Sequence, residues 1–170
     1  MTSAHYLELA RQQKTVSGEL ALATLPRLVD ALRERGVTAS DALSVTMVRY
    51  HLQGLPPGYF GDVQLPMLAL TIETELPLVC QRCFQAMPET VALKYAFAVC
   101  HEPPEALLED EHVDWLEPDP EASIEMLVED ELLMALPIAV MHEEMCVALQ
   151  QVAGEKPNPF AALKSLKLDK

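Results

Sequence analysis

Residues 90–99, TVALKYAFAV, carry the most regular pattern in the chain. Large apolar side chains at the odd positions alternate with small or polar ones, a period typical of a β-strand with one buried face. Shortly before this stretch lies Cys80-Gln81-Arg82-Cys83, and before that residues 63–76 form a second extended segment with alternating apolar positions. We therefore expect two antiparallel strands joined by a turn that contains the CxxC motif.

An amphipathic helix is predicted over residues 25–35. Thr24 suits its N-cap and Gly36 suits its stop. Its apolar positions recur three and four residues apart, at Leu25, Leu28, Val29 and Leu32. Strands are expected at residues 14–22 and 43–52, the second with a bulge near Met47, and a turn region is expected at residues 55–62.

A second helix is predicted over residues 121–136, and Pro137 ends it. Its expected buried stripe consists of Ile124, Leu127, Val128 and Ala135. Together the segments indicate an α+β fold in which an antiparallel sheet packs with two main helices, an acidic loop and an extended C-terminal tail. We expect a single domain over residues 1–153 and a basic tail over residues 154–170.

The formal charge of −14 over 170 residues is concentrated in one region. No Lys or Arg lies between Lys94 and Lys156, whereas sixteen of the 26 acidic residues do. Residues 101–121 are predicted to form an acidic, loosely packed loop, in which Trp115 either contacts a partner or, as we favour, anchors the loop to the body. Such a region repels phosphate and attracts cations, which argues against nucleic-acid binding across it and favours a basic protein partner.

The N-terminal sequence does not match a signal peptide, because Glu8 and Arg11 interrupt the apolar core that a signal peptide needs. The longest uncharged apolar run, residues 132–141, contains Pro137 and is about half of the roughly 20 residues in a membrane helix. We therefore expect a cytoplasmic protein that makes no membrane contact. In a reducing compartment, cysteines are more often thiols or metal ligands than disulfides.

The CxxC motif is half of a tetrahedral metal site, since two sulfurs at this spacing can reach one ion. If the residues after Pro137 are helical again, His142 and Cys146 lie four positions apart on one face and can complete it. The predicted zinc ligands are Cys80, Cys83, His142 and Cys146. Cys100 is a competing third ligand. Two alternatives stay open, namely reduced thiols packed as small hydrophobic groups and a redox-active CxxC.

Enzymatic motifs are weak in this chain. The run His142-Glu143-Glu144-Met145-Cys146 has the spacing of a metalloprotease HExxH but lacks its second imidazole. There is no phosphate-binding GxxxxGK loop and no GxGxxG dinucleotide motif. We therefore expect a protein without catalytic activity.

Two charged segments are candidate binding surfaces. The acidic helix segment is either a solvated surface or a docking face. The tail begins with Lys156-Pro157-Asn158-Pro159-Phe160 and either packs on its own domain or becomes ordered on a partner. The candidate partner-binding residues are Glu129, Asp130, Glu131, Lys156, Asn158 and Phe160.

Four motifs occur in one order from the CxxC to the C-terminus. They are Cys80-Gln81-Arg82-Cys83, then Val128-Glu129-Asp130-Glu131 with Ala135-Leu136-Pro137, then His142 before Cys146, and last the KPNPFA segment. In this order they resemble the bacterial YceD-like family of large ribosomal RNA subunit accumulation proteins. The resemblance implies a role in the synthesis, processing or stability of large-subunit (23S) ribosomal RNA, with no catalytic site to transfer. Cys100 lies outside the family pattern.

An acidic protein is a poor direct ligand for RNA, so we expect an indirect role in rRNA accumulation. The expected partner is a basic ribosomal protein, or a pre-ribosomal large-subunit particle that contains one, held on the acidic face. The alternative is a direct RNA-binding or zinc-binding accessory protein that uses the CxxC, Arg82 and the basic tail. A processing nuclease would need clustered carboxylates around a metal, and the acids here are too diffuse.

Overall fold

A five-stranded sheet forms the centre of the structure. The computed structural model describes residues 6–38, 40–119, 121–144 and 146. Within these residues the strands lie in sequence order, with antiparallel pairing except for the last strand, which is parallel to its neighbour. They are β1 (Thr15–Ala21), β2 (Met47–Phe60), β3 (Val63–Val79), β4 (Ala86–Val99) and β5 (Asp114–Leu116).

Helices pack with this sheet, and the two longest have 9 and 12 residues. They are α1 (Tyr6–Arg11), α2 (Pro26–Glu34), α3 (Ser40–Val45), α4 (Glu105–Leu108) and α5 (Ile124–Ala135), with a 3-10 turn at Leu22–Thr24. The two main helices are α2 and α5, close to the ranges predicted for them. The predicted α+β fold with an antiparallel sheet and two main helices is confirmed.

The main core lies on the sheet face that α1, α2 and α5 cover. Even-numbered residues of β3 point into it because side chains alternate along a strand, and Leu68, Leu70 and Ile72 are completely buried. Leu32 of α2 and Leu132 of α5 belong to the same core and are also completely buried. The apolar stripe predicted for α2 is confirmed, whereas in α5 the predicted Ala135 is only half-buried and Leu132, which was not predicted, is completely buried.

A smaller core lies on the opposite face and fixes the acidic segment. It contains Phe60, Leu65, Met67, Ala98 and Leu107. Leu107 of α4 is only 2% exposed, and β5 extends the sheet beside β4, so residues 101–121 are not the loosely packed loop that was predicted. Trp115, the expected anchor, is 41% exposed. The buried side chain of Leu107, in the short helix α4, anchors the segment instead.

Strand β2 begins later and continues further than predicted. Residues 43–45 belong to α3, and the strand starts at Met47. The register shift lies between Leu55 and Gly58, not near Met47. Pro56 and Pro57 stay within the strand because this shift leaves both without a partner on β3, and β1 pairs with β2 only as far as Gln53, so no neighbour needs their missing N–H groups. The turn is confined to Gly61-Asp62.

Helix α2 ends as predicted but begins differently. Gly36 has a φ of 94°, a left-handed conformation that favours glycine, and its N–H donates to the Arg33 carbonyl at 2.9 Å. Thr24 does not cap the helix, because its hydroxyl donates to the Ala21 carbonyl at 2.7 Å. Leu25 occupies the N-cap position and provides no side-chain acceptor. The first N–H groups of α2 therefore need an acceptor from elsewhere in the fold.

No helix in the described part of the chain is long and apolar enough to cross a membrane. The predicted tail, with Lys156, Asn158 and Phe160, lies outside the described residues. The proposed boundary between residues 153 and 154 stays a prediction for the same reason.

Candidate metal centre

The CxxC motif forms the turn between β3 and β4, as predicted. The last paired residues are Val79 and Ala86, and the Cys80 N–H donates to the Gln85 carbonyl at 3.0 Å. The Phe84 N–H donates back to the Cys80 carbonyl at 2.9 Å. Phe84 has a φ of 58°, which is uncommon for a residue with a side chain and marks a tightly constrained turn.

The segment after α5 returns across this turn without forming a helix. Residues 137–144, which we call the strap, are held by backbone contacts instead. The Gln81 N–H donates to the Val140 carbonyl at 2.9 Å, and the Arg82 guanidinium donates to the Glu144 carbonyl at 3.4 Å. At its start, the Arg35 guanidinium donates to the Pro137 carbonyl. The helix expected after Pro137 is therefore wrong, yet His142 and Cys146 still arrive beside the CxxC.

The ligand atoms of Cys80, Cys83, His142 and Cys146 all lie within 4.8 Å of one another. The Cys80 and Cys146 sulfurs are 3.7 Å apart, and the Cys83 sulfur is 3.5 Å from His142 Nδ1. Zinc bonds of roughly 2.3 Å to sulfur and 2.0–2.1 Å to nitrogen give tetrahedral ligand separations of roughly 3.8 Å and 3.6 Å. The cluster thus has the composition and the spacing of a Cys₃His zinc site and could bind such an ion.

The thiols of this cluster differ in their protonation. Burial by itself raises the pKa of Cys80, but backbone N–H groups of His142, Cys83 and Arg82 donate to its sulfur and lower the pKa to about 5. The pKa of Cys146 is raised by burial and by the neighbouring thiols of Cys83 and Cys80. Because metal ligands must be thiolates, Cys80 is prepared for a cation, whereas Cys146 would lose its proton when the cation binds.

Cys100, the competing ligand, lies outside the cluster. It packs against the smaller core at the end of β4, and its N–H donates to the Leu116 carbonyl at 3.1 Å. Burial raises the pKa of its thiol, which keeps it protonated. All four cysteines are free of disulfides.

Glu129, predicted as part of an acidic surface, is a buried structural residue with an exposure of 4%. Its Oε1 accepts hydrogen bonds from the backbone N–H groups of Arg27 at 2.7 Å and Leu28 at 3.2 Å. Its Oε2 accepts from Arg27 Nε at 2.8 Å. Glu129 therefore supplies the acceptor that the first turn of α2 lacks, and it joins α2 to α5.

The two neighbouring acids are placed differently. Glu131 is 5% exposed, and burial, followed by the nearby charge of Asp114, raises its pKa to about 6, although a hydrogen bond from Tyr95 opposes the shift. Asp130 is half-exposed and forms an ion pair with Arg27 at 2.7 Å. Of the three acids expected to meet a partner, only Asp130 is therefore at the surface.

The larger acidic surface is formed by residues 102–119, which we call the acidic segment. Its turn is ordered, since Asp110 Oδ1 accepts hydrogen bonds from the N–H groups of His112 and Val113 at 2.8 and 3.2 Å. Two large apolar side chains, Leu108 at 63% and Trp115 at 41%, are exposed among the acids. The exposed carboxylates are Glu102, Glu105, Glu109, Asp110, Glu111, Asp114, Glu117 and Asp119.

The fold and the site define a class of protein, an α+β domain whose hairpin and C-terminal strap meet in a Cys₃His cluster. Comparison with known families extends this. The model described as "Large ribosomal RNA subunit accumulation protein YceD" matches residues 68–167, more than half of the chain. The chain belongs to this family, as its motif order indicated.

A curated relative supports the assignment. The large ribosomal RNA subunit accumulation protein YceD of Haemophilus influenzae is 31% identical over 121 residues, which cover 64% of this chain and 70% of that protein. No solved structure matches. The region that the family model matches, residues 68–167, contains the CxxC, α5, the strap and most of the tail. The match does not itself assign a role to any residue.

Proposed function

We propose that this protein is a non-enzymatic assembly factor that promotes accumulation of large-subunit ribosomal RNA by holding a basic ribosomal protein on its acidic segment. The family description supports the first half of this proposal, since it implies a role in the accumulation of that RNA and names no catalytic activity. The observation that supports the second half is the ordered, exposed acidic segment of residues 102–119.

Electrostatics favours a protein partner over RNA at this surface. Closely spaced exposed carboxylates repel phosphate, whereas a cationic protein is attracted and its encounter rate is raised. Trp115 and Leu108 add apolar contact area in the middle of the charges, and aromatic side chains commonly carry much of the binding energy at interfaces. Since Glu129 and Glu131 are buried, Asp130 is the member of the helix cluster that could extend this surface.

The Cys₃His cluster is proposed to bind zinc in a structural role. Four protein ligands would fill the tetrahedral coordination sphere, which leaves no position for a reacting water or substrate. Bound there, the ion would fix the strap to the β3–β4 turn. The cluster therefore fits a stabilising cross-link between two segments of the fold and does not add a catalytic step.

Affinity purification of the tagged protein from growing cells tests the proposed partner. One half of each sample is treated with nuclease before bound proteins and RNA are identified. A basic ribosomal protein that stays bound after nuclease treatment is the expected result. If every ribosomal component is lost with the RNA, contact runs through nucleic acid, and the alternative of direct binding through Arg82 and the basic tail replaces this proposal.

A charge-reversal variant locates the surface. Glu102, Glu109 and Glu111 are exposed, and replacing all three by Lys should abolish retention of the basic protein. The matched control reverses three exposed acids away from this segment, which are Glu8, Glu19 and Glu34. The control changes the net charge by the same amount. Equal losses in both variants would show that net charge alone, and not the acidic segment, governs binding.

A further inference from the structure

An apolar groove of about 410 Å³ lies beside the candidate metal centre. One wall is formed by the α2–α3 connection, with Val37, and by α3, with Val45; the other is the end of the β3–β4 hairpin, with Leu78, Phe84 and Pro88. The volume is within the range of roughly 300–1,000 Å³ that is typical of ligand sites. The groove is therefore large enough to receive one or two bulky apolar side chains.

Two of the lining side chains are unusually exposed for apolar residues. Phe84 and Val45 each have an exposure of 75%, and both line the groove. Phe84 directly follows the CxxC and is held in a left-handed backbone conformation, with a φ of 58°. Constrained conformations of this kind often occur at binding sites. Exposed apolar walls around a concave surface are typical of an interaction site.

The described part of the chain ends next to this groove. Cys146 is the last described residue, and its sulfur is 3.7 Å from that of Cys80. Cys80 follows Val79 of the groove wall, and Cys83 precedes Phe84. Phe160 is fourteen residues beyond Cys146, a stretch that spans up to about 46 Å when extended. The tail can therefore reach every part of the groove.

The chemistry of the tail suits this occupant. Phe160, Leu163 and Leu166 form an apolar series after Pro157 and Pro159. Residues 147–170 carry a formal charge of +2, which leaves −16 on the rest of the chain. A tethered segment also meets its site at an effective concentration in the millimolar range, which favours it over a free partner with similar contacts.

We propose that residues 157–166 dock in this groove of the same molecule, with Phe160 packed against Phe84 and the apolar side of the following residues against Val45. The proposal is independent of the ribosomal role and of metal binding by the cluster. It assigns the KPNPF motif to an intramolecular contact that covers the hairpin end.

A photo-crosslinker tests the contact in the purified full-length protein. Phe160 is replaced by p-benzoylphenylalanine, the protein is irradiated, and the crosslinked peptides are mapped by mass spectrometry. We expect an intramolecular link to residues 36–46 or 77–88, with a yield that does not change on tenfold dilution. This mapping needs no further substitution and thus does not depend on the folding of a variant.

Two matched valine substitutions then test the groove itself. Val45→Lys places a charge in its wall, whereas Val63→Lys changes a valine of 42% exposure at the opposite end of β3. The link should fall roughly tenfold in the first variant, which corresponds to about 1.4 kcal/mol, and remain in the second. Links that form between copies and grow with concentration, or links that map elsewhere in the chain, would overturn the proposal.

Discussion

Replacing Glu129 by Gln tests whether this carboxylate joins the two main helices. The side chain is 4% exposed and receives two backbone N–H groups of α2 together with Arg27 Nε. An amide oxygen can still accept from the backbone, but the amide nitrogen then faces the Arg27 guanidinium, a second donor. Loss of a charge-assisted bond and of a buried negative charge should cost about 2–3 kcal/mol.

The next residue in the sequence provides a control. Asp130 pairs with the same arginine at 2.7 Å, but the side chains of both partners are about half-exposed, at 50% and 52%. Exposed ion pairs contribute about 0–1 kcal/mol, so Asp130→Asn should cost much less than Glu129→Gln. Urea unfolding followed by circular dichroism measures both, and the midpoint should shift without a change in slope. Equal, small shifts for the two variants would refute the assignment of Glu129 to the cap of α2.

Three further predictions concern the buried carboxyl of Glu131, the side chain of Leu107 in the smaller core and the Cys₃His cluster. Burial raises the folded-state pKa of Glu131 to about 6, above the ordinary value of 4.5, so its contribution to stability is lost as pH rises from 4.5 through 6. Glu131→Gln should therefore stabilise the protein by about 1–2 kcal/mol at pH 8 and have no effect below pH 4.5, and an equal effect in urea titrations at both pH values would contradict this. Leu107→Ala removes the anchor of the acidic segment and should cost about 2–4 kcal/mol; a loss within measurement error of zero would contradict its role. Elemental analysis should find one zinc per chain in the wild type and none in Cys80→Ser. A chelator should remove the zinc and lower the unfolding midpoint. A protein that contains no metal, and whose unfolding midpoint a chelator does not change, would favour packed thiols.

Local patterns predicted the parts of the fold that depend on local physics. The alternation in residues 90–99 and the CxxC before it were sufficient for the β3–β4 hairpin, because the period of a strand is visible in adjacent residues. The four candidate ligands were also identified from residue type and spacing. Their meeting was expected from a helix after Pro137, but an irregular strap held by Gln81 and Arg82 brings them together.

Features set by distant residues were not visible in the sequence. Pro56 and Pro57 indicated a turn, but they remain in β2 because the β2–β3 register shift leaves them unpaired and β1 ends before reaching them. Glu129 read as a surface acid, although it lies between Val128 and Leu132 on a largely buried helix. Its partners in α2 are about a hundred residues away, so only the fold reveals that its charge is used internally.

The position of the cluster gives the proposed metal an effect beyond the turn that it occupies. Cys80 and Cys146 are 66 residues apart, and a cross-link between them encloses β4, the acidic segment and α5. By analogy with a disulfide, closing a loop of this length lowers the conformational entropy of the unfolded chain and so raises its free energy by about 4 kcal/mol. The acidic segment lies inside this loop, anchored by Leu107 at one side and continued into α5 at the other. Zinc bound at the cluster would therefore stabilise the proposed partner-binding surface without touching it, because unfolding of that surface would have to occur within a closed loop.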